Sequence, residues 1–332
     1  MFDFVSIGEM LIDFTPYMTE GGSALYQPNP GGAPANVASV VAKLGLHSAF
    51  VGKVGNDVFG LSCKEALKNA GVCTEHLVLT SDYPTTLAFV TLLPGGNREF
   101  SFYRNRLTAD VSLEKSDLSE SAYQNTRIFH FGSVSLTEDP EKSTVLFAVE
   151  EAKKAGAIIS YDPNLRLPLW KSAEEAKKTI LETLHYADIL KLSEEEVEFL
   201  FGKVDDHEIC KELSEKHGVS LILITKAADG CYAYVNGRDY HSYAYDLKTI
   251  DTTGAGDSFL AGVVYCLLHS GKDIKDLSDG DVTEMLDFAN ALGSLVTTKK
   301  GAIPAIPTIE EINRCMEMEQ RLIPKQAETA SN

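Results

Sequence analysis

The chain has 332 residues, 44% of them hydrophobic, and its 48 acidic against 30 basic side chains give a formal charge of −18. That length holds one large domain or two modest ones with a full core, and the acidic balance, with no basic run to offset it, argues against a nucleic-acid-binding surface. No apolar run reaches bilayer length. The six cysteines lack CxxC or Cys/His spacing and Met1-Phe2-Asp3-Phe4 carries no positive leader, so a reduced, cytoplasmic protein is expected.

In chain order, Phe4 to Ile7 reads as a short apolar strand and Glu9 to Phe14 as a second. Gly31-Gly32-Ala33-Pro34-Ala35-Asn36-Val37-Ala38 is a glycine-led strand-to-helix junction, and its helix runs to about Leu44 before Gly45 stops it. Ala49 to Val54 is strand-like, and Gly71 closes the helix that follows. Leu87 to Leu93 and Glu99 to Tyr103 flank Pro94-Gly95-Gly96-Asn97, a β-hairpin with no helix after it. With Glu9 to Phe14 it is expected to form a small lid sheet, the lid segments spanning about 9–32 and 84–110. Ile128 to Phe131, Ile158 to Tyr161, Ile189 to Leu192 and Leu221 to Ile224 are further strands, with intervening helices ending at Gly156 and Gly218. The alternation predicts a doubly wound, mostly parallel α/β sheet, residues 1–325 forming one domain and Gln326 to Asn332 a disordered tail. His130, on an apolar strand, reads as a core or strand-end residue.

The chemistry concentrates at Asp251-Thr252-Thr253-Gly254-Ala255-Gly256-Asp257. Leu260, Val263, Val264, Leu267 and Leu268 follow with helical spacing, so Gly254 to Asp257 should form the first turn of a helix. The N–H groups there lack internal partners, the dipole favours an anion, and two glycines around Ala255 let an oxygen-rich group approach the backbone. Asp257 would repel a phosphate unless it serves as a base toward an incoming hydroxyl. Helix-start charge should keep it ionised at neutral pH. The plainer alternative is a helix capped by Thr253 with an acidic first turn. The chain has no GxxxxGK[ST], HExxH, GxSxG or GxGxxG segment.

The pair GGAPANVA and DTTGAGD resembles the two signatures of the PfkB (ribokinase-like) carbohydrate kinases. Landmarks between and after them match in order: GKVGNDVFG (52–60), DPNLR (162–166), KLSEEE (191–196), Thr225 to Gly230 and Lys300-Gly301-Ala302. The resemblance implies an ATP-dependent sugar kinase with a β-sheet lid that covers the sugar and often forms a dimer contact. It implies Asp257 as general base, with Gly254, Ala255 and Gly256 as the anion hole and Arg166 as a phosphate partner. Asp13, Gly32 and Asn36 map to sugar binding, with Phe102, Tyr103 and Arg104 contributing from the lid. Lys191, Ser193, Glu196, Thr225, Gly230 and Asn290 map to the nucleotide side. Ser193 stands where the family commonly has Asn, and Ala227 where it often has Gly; Ser193 and Glu196 also read simply as a helix capping box. Glu196 would act on Mg²⁺ through water. Asp251, Thr253 and the loop around Gly301 resemble a monovalent-cation loop, with K⁺ the natural occupant, although Asp251 bonding within its own loop is an equal reading. GGAPANVA, FYRNRLTAD and DPNLRLPLW look most like fructokinases, with aminoimidazole riboside kinase and 2-keto-3-deoxygluconate kinase as alternatives. A silent sugar-binding relative would have no need of a carboxylate at the reacting hydroxyl.

Overall fold

A computed structural model describes residues 1–18, 24–92 and 98–322. The first half runs β1 (Phe2–Ile7), β2 (Leu11–Met18), β3 (Ala24–Gly31), α1 (Ala33–Lys43), β4 (Ser48–Gly55), α2 (Val58–Ala70), β5 (Leu77–Thr80), β6 (Leu87–Leu92), β7 (Arg98–Tyr103), α3 (Glu120–Tyr123), β8 (Thr126–Gly132), α4 (Glu141–Lys154) and β9 (Ile158–Asp162). Then follow α5 (Ala173–Thr183), β10 (Ile189–Ser193), α6 (Glu194–Phe201), α7 (Asp206–His217), β11 (Leu221–Thr225), β12 (Cys231–Val235), β13 (Arg238–Ser242), α8 (Ala255–Ser270), α9 (Asp279–Val296) and α10 (Ile309–Met318).

The large sheet has the order β13-β12-β11-β10-β9-β8-β1-β4-β5, parallel except for the β12 and β13 edge. Its strands are apolar on both faces because helices cover both. Phe4 packs into a core with α1, α2, α8, α9 and α10, whereas its neighbour Val5 packs into a second core with α3 to α7. Leu221 and Leu223 join the first core, and Ile222 and Ile224 the second. The expected helix stops hold: Gly71 and Gly218 are left-handed C-caps, and Gly45 and Gly156 have φ of 91°. His130 is a core residue, its Nδ1 3.1 Å from Ser160 Oγ, and burial pushes its pKa down to about 4.

The chain moves from β1 to β4 and β5 on one side, then returns to β8 on the other. This reversal between β1 and β8 is where open α/β sheets leave a crevice at their carboxyl ends. A separate four-stranded sheet, β3-β2-β6-β7, lies beside it.

Several expectations need correction. The second strand starts at Leu11 rather than Glu9, which lies in the β1–β2 connection. The small sheet gains β3, where Pro28 and Pro30 had concealed a strand; among the described residues it pairs only with β2, and an edge strand tolerates proline. The β12–β13 hairpin was also unforeseen, although Asn236-Gly237, at φ of 54° and 74°, is the turn pair that favours a two-residue hairpin. The turn Pro94 to Asn97 and the tail Gln326 to Asn332 lie outside the described residues.

Candidate active site

At the start of α8, Gly254 has φ 78° and serves as N-cap with no side-chain cap. A Cβ there would lie 2.6 Å from the Ala302 Cβ, so both conformation and space demand glycine. Thr253 therefore does not cap the helix. Its N–H and hydroxyl donate to Asp251 Oδ1 at 2.9 and 2.6 Å, while Gly301 N–H donates to Asp251 Oδ2 at 3.0 Å. Asp251 thus ties the loop before α8 to the loop after α9, bringing together the three residues expected around a monovalent cation.

Two cavities meet at this helix start. The first, of about 490 Å³, is walled by Glu9, Asp13, Gly32, Asn36, Phe102, Asn164, Arg166, Lys191 and Asp257 among others. The second, of about 440 Å³, is walled by Ser193, Thr225, Gly230, Tyr245, Phe259 and Asn290 among others. Thr252 and Gly256 line both, so the glycine-rich turn is the partition between a polar chamber and a more apolar one.

Asp257 faces the polar chamber. Its Oδ2 accepts from Asn36 Nδ2 at 2.8 Å, and Asn164 Nδ2 lies 3.5 Å from Oδ1. Burial pushes its pKa up to about 6, Asp162 adding to the rise while the Asn36 bond, Lys191 and Arg166 oppose it. Desolvation has outweighed the helix-start stabilisation expected from sequence, leaving a carboxylate that is ionised at pH 7 yet basic enough to take a proton. Asp13, on β2, is similarly raised to about 6 by burial, opposed by Arg166 and reinforced by Asp257 and Asp251. Gly32 has φ 121°, and a Cβ there would sit 2.4 Å from the Glu9 carbonyl oxygen, so the junction into α1 closes directly onto the chamber.

Arg166 lines the chamber just after β9, its guanidinium donating to the carbonyls of Asn164 and Leu165 at 3.3 and 3.1 Å. Lys191, expected on the nucleotide side, lines the polar chamber, buried against Asp162 at 2.8 Å. A Cβ on Gly256 would lie 3.3 Å from its Nζ, so the ammonium abuts the partition. Ser193 and Glu196 form the capping box of α6, with Ser193 N–H donating to Glu196 Oε2 at 2.7 Å. The other oxygen of Glu196 accepts Leu165 N–H at 2.7 Å, which couples the β9 and β10 ends. Ser193 lines the second chamber, whereas Glu196 lines neither.

On the apolar side, Gly230 has φ 85° with Ser242 O in the place of any Cβ. Thr225 donates to Leu192 O at 3.4 Å, and Asn290 is buried with Nδ2 donating to Ser242 O at 2.9 Å. Ala227, where a glycine was expected, takes φ 48°.

Arg104, expected to add a sugar contact from the lid, is engaged elsewhere. Its guanidinium is buried and fully engaged, Nε with Asp110 at 2.6 Å, one amino group with Thr137 at 2.6 Å and the other with Glu141 at 2.5 Å. It is not part of the chamber wall. The polar chamber instead holds Glu9 and Asn164, which sequence reasoning had assigned no role. Asn164 follows Pro163 at φ 46°, a turn signal within DPNLR, whereas nothing local distinguishes Glu9 from a strand residue.

Among the described residues, no helix is long and apolar enough to cross a membrane, and no group of three or more His, Cys, Asp or Glu is disposed to hold a metal ion. Both Glu196 oxygens already accept N–H groups.

Residues 1–309 match the family described as pfkB family carbohydrate kinase. Fructokinase-2 of Solanum lycopersicum is 45% identical over 316 residues, 92% of this chain and 94% of that protein. A fructokinase from Xylella fastidiosa, solved with bound ATP, superposes with a TM-score of 0.88 at 31% identity, covering 96% of this chain and 99% of that one. A Vibrio cholerae O395 fructokinase double mutant, solved with fructose, ADP and potassium ion, has a TM-score of 0.85 at 32% identity, covering 95% and 98%.

Proposed function

The chain belongs to the pfkB family of carbohydrate kinases, and we propose that within it the chain is an ATP-dependent fructokinase, forming fructose 6-phosphate from D-fructose. The observation that carries the reading is the shared partition: one glycine-rich helix start separates a polar chamber holding Asp257 from a chamber suited to a nucleotide. Sugar hydroxyls meet Asp13, Asn36 and the backbone at Gly32. Asp257 accepts the proton of the reacting hydroxyl as its oxygen attacks the γ-phosphoryl group. The N–H groups of Gly254, Ala255 and Gly256 face the charge that builds on the transferring group, with Arg166 and Lys191 supplying positive charge on the sugar side.

Ser193, Thr225, Gly230 and Asn290 hold the nucleotide. Mg²⁺ bound to its phosphates would neutralise charge, with Glu196 ordering the ion's waters, and K⁺ would occupy carbonyl oxygens of the loops that Asp251 ties together. The Vibrio relative crystallised with fructose, ADP and potassium ion supports the nucleotide and K⁺ assignments.

Substrate choice is supported by electrostatics. Three carboxyls, Glu9, Asp13 and Asp257, line the polar chamber against two cations, Arg166 and Lys191, and Lys191 is already paired with Asp162. A neutral ketose suits this wall better than 2-keto-3-deoxygluconate. The small sheet serves as the lid, and because Tyr17, Leu25, Tyr26 and Tyr103 are each between 45% and 64% exposed on its strands, a second copy of the chain is the natural cover. Six free cysteines fit a reduced cytoplasm. Following ADP release with fructose, aminoimidazole riboside, 2-keto-3-deoxygluconate and ribose tests the reading: fructose should give the highest kcat/KM, and a tenfold advantage for another sugar would overturn it.

A further inference from the structure

Behind the sugar chamber lies a group of ionisable side chains that the phosphoryl-transfer reading does not use. Arg104 forms ion pairs with Asp110 at 2.6 Å and Glu141 at 2.5 Å, and Thr86 donates to the other oxygen of Asp110 at 2.5 Å. Glu9 completes the group: its Oε2 accepts from Ser135 Oγ at 3.1 Å and its Oε1 from Ala33 N–H at 3.3 Å. Glu9, Asp110 and Glu141 are 4%, 1% and 0% exposed, and the Arg104 side chain is 3% exposed. One guanidinium therefore faces three carboxyls that are almost wholly withdrawn from water. Full ionisation would leave two uncompensated negative charges in a low-dielectric interior, so protons must reside on the cluster.

Their location follows from the contacts. Asp110 and Glu141 each touch Arg104 directly, whereas Glu9 has no bond to a cation. Glu141, fully buried with its Oε1 unpartnered and sealed from the chamber, is pushed by burial well above the usual carboxylate range and takes the first proton, which still leaves Asp110 and Glu9 facing one guanidinium. Glu9 alone of the three carboxyls lines the sugar chamber. Its charged neighbours are Arg104, Asp110 and Glu141, while Asp13 and Asp257 respond to each other and to Arg166. The acids therefore address two different parts of one chamber.

We infer that Glu9 is a further sugar-contacting residue, which meets the substrate as a neutral carboxylic acid and donates a hydrogen bond to a sugar oxygen. Asp13 and Asp257, when ionised, can only accept. A polyol whose oxygens alternate as donors and acceptors is matched by a wall that offers both, and a buried neutral carboxyl is an established way to present a donor at neutral pH. Burial pushes the Glu9 pKa up to about 7, with Asp110 adding to the rise and Arg104 and the Ser135 hydroxyl opposing it. The donor is present below that value and lost as pH rises through it. The inference rests on the fructokinase reading above.

The test is steady-state kinetics of the full-length enzyme with D-fructose and saturating ATP from pH 6 to 9, comparing wild type, Glu9→Gln and Glu9→Ala. In the wild type the fructose KM should climb by up to about tenfold per unit above pH 7 as the donor ionises, separately from any rise toward pH 6 as Asp13 takes a proton. Glu9→Gln retains a donor of the same shape and should give a KM within a few-fold of the wild-type value at pH 6, without the alkaline climb. Glu9→Ala should raise the fructose KM about tenfold or more at every pH with a smaller effect on kcat, and the KM for ATP should be unchanged in both. Thermal melts of both variants establish that they are folded, and the isosteric Gln variant carries the test if the Ala variant is not. A wild-type KM that is flat to pH 9, or a climb that persists in Glu9→Gln, would overturn the role of Glu9 while leaving the kinase intact. No turnover of fructose at any pH would overturn both readings.

Discussion

Asp257→Asn separates the chemistry of the site from its fold. The amide has the carboxylate's shape and can still accept from Asn36 Nδ2, which lies 2.8 Å from Asp257 Oδ2, but it cannot take a proton. Loss of a general base costs on the order of 10²- to 10⁴-fold in kcat, or about 3–5 kcal/mol of barrier. Stability should move the other way. The Asp257 carboxyl has a folded pKa of about 6, above its unfolded value, so the native state binds the proton more tightly than the unfolded chain. Its contribution is therefore most favourable below pH 4, declines as pH rises toward 6, and is constant above that. At pH 8 the ionised side chain costs the fold on the order of 2–3 kcal/mol, which the neutral amide removes.

The wild-type kcat/KM for the sugar should fall below pH 6 as Asp257 protonates, about fivefold between pH 6 and 5. Asp13, also raised to about 6, would steepen that limb, so the profile belongs to the pair. Coupled ADP-release kinetics and thermal melts at pH 8 measure the two effects on one preparation. A variant that kept more than a tenth of wild-type kcat, or that melted below wild type at pH 8, would refute the assignment of a buried, desolvated base.

Other outcomes follow from single features of the fold. Gly254→Ala should lower kcat more than it raises the sugar KM, because its Cβ would press on Ala302 at 2.6 Å and tilt the N–H groups of the helix start; wild-type kcat with a raised KM would contradict this. Ala227→Gly should stabilise by about 0.5–1 kcal/mol, the relief of a left-handed alanine less the unfolded-state entropy that glycine adds, seen as a melting rise of a degree or two. Arg104→Met should destabilise by about 3–5 kcal/mol, since it strands two buried carboxyls, and an unchanged denaturant midpoint would show that the cluster is already neutral. Asp13→Ala should raise the fructose KM and lower kcat/KM by about 1.5–3 kcal/mol while leaving the KM for ATP unchanged; a change in ATP affinity instead would misplace the two chambers.

What was legible in the sequence was what local chemistry dictates. Two glycine-led junctions marked α1 and α8, helix-stopping glycines marked the returns to the sheet, and apolar runs marked strands covered on both faces. The capping box at Ser193 and Glu196 forms as its spacing implied, and Asp251 bonds within its own loop while also reaching Gly301. The misses share a different cause. Arg104 lies near the chain's sugar-side segments, yet its partners Thr137 and Glu141 are 33 and 37 residues away, and only the packing of α4 against β8 brings them to it. Asn36 and Asp257, 221 residues apart, each resembled a known position, but the bond between them was invisible until the sheet was closed.

Protonation was the least legible property because desolvation is set by the whole fold. A helix start predicts an ionised Asp257, and that local effect is real, but it acts through one turn of dipole, whereas burial removes water from every side. Burial raises all three carboxyls of the sugar chamber, Glu9 to about 7 and Asp13 and Asp257 to about 6. The difference between them lies in which cations the fold brings near. Arg166 serves both Asp13 and Asp257, and Lys191 serves Asp257 as well, so those two can ionise at neutral pH; Arg104, whose two ion pairs are already made, acts on Glu9 only across a distance. A single chamber thereby carries carboxyls held at different points of their titration, and what separates them is where each guanidinium is spent.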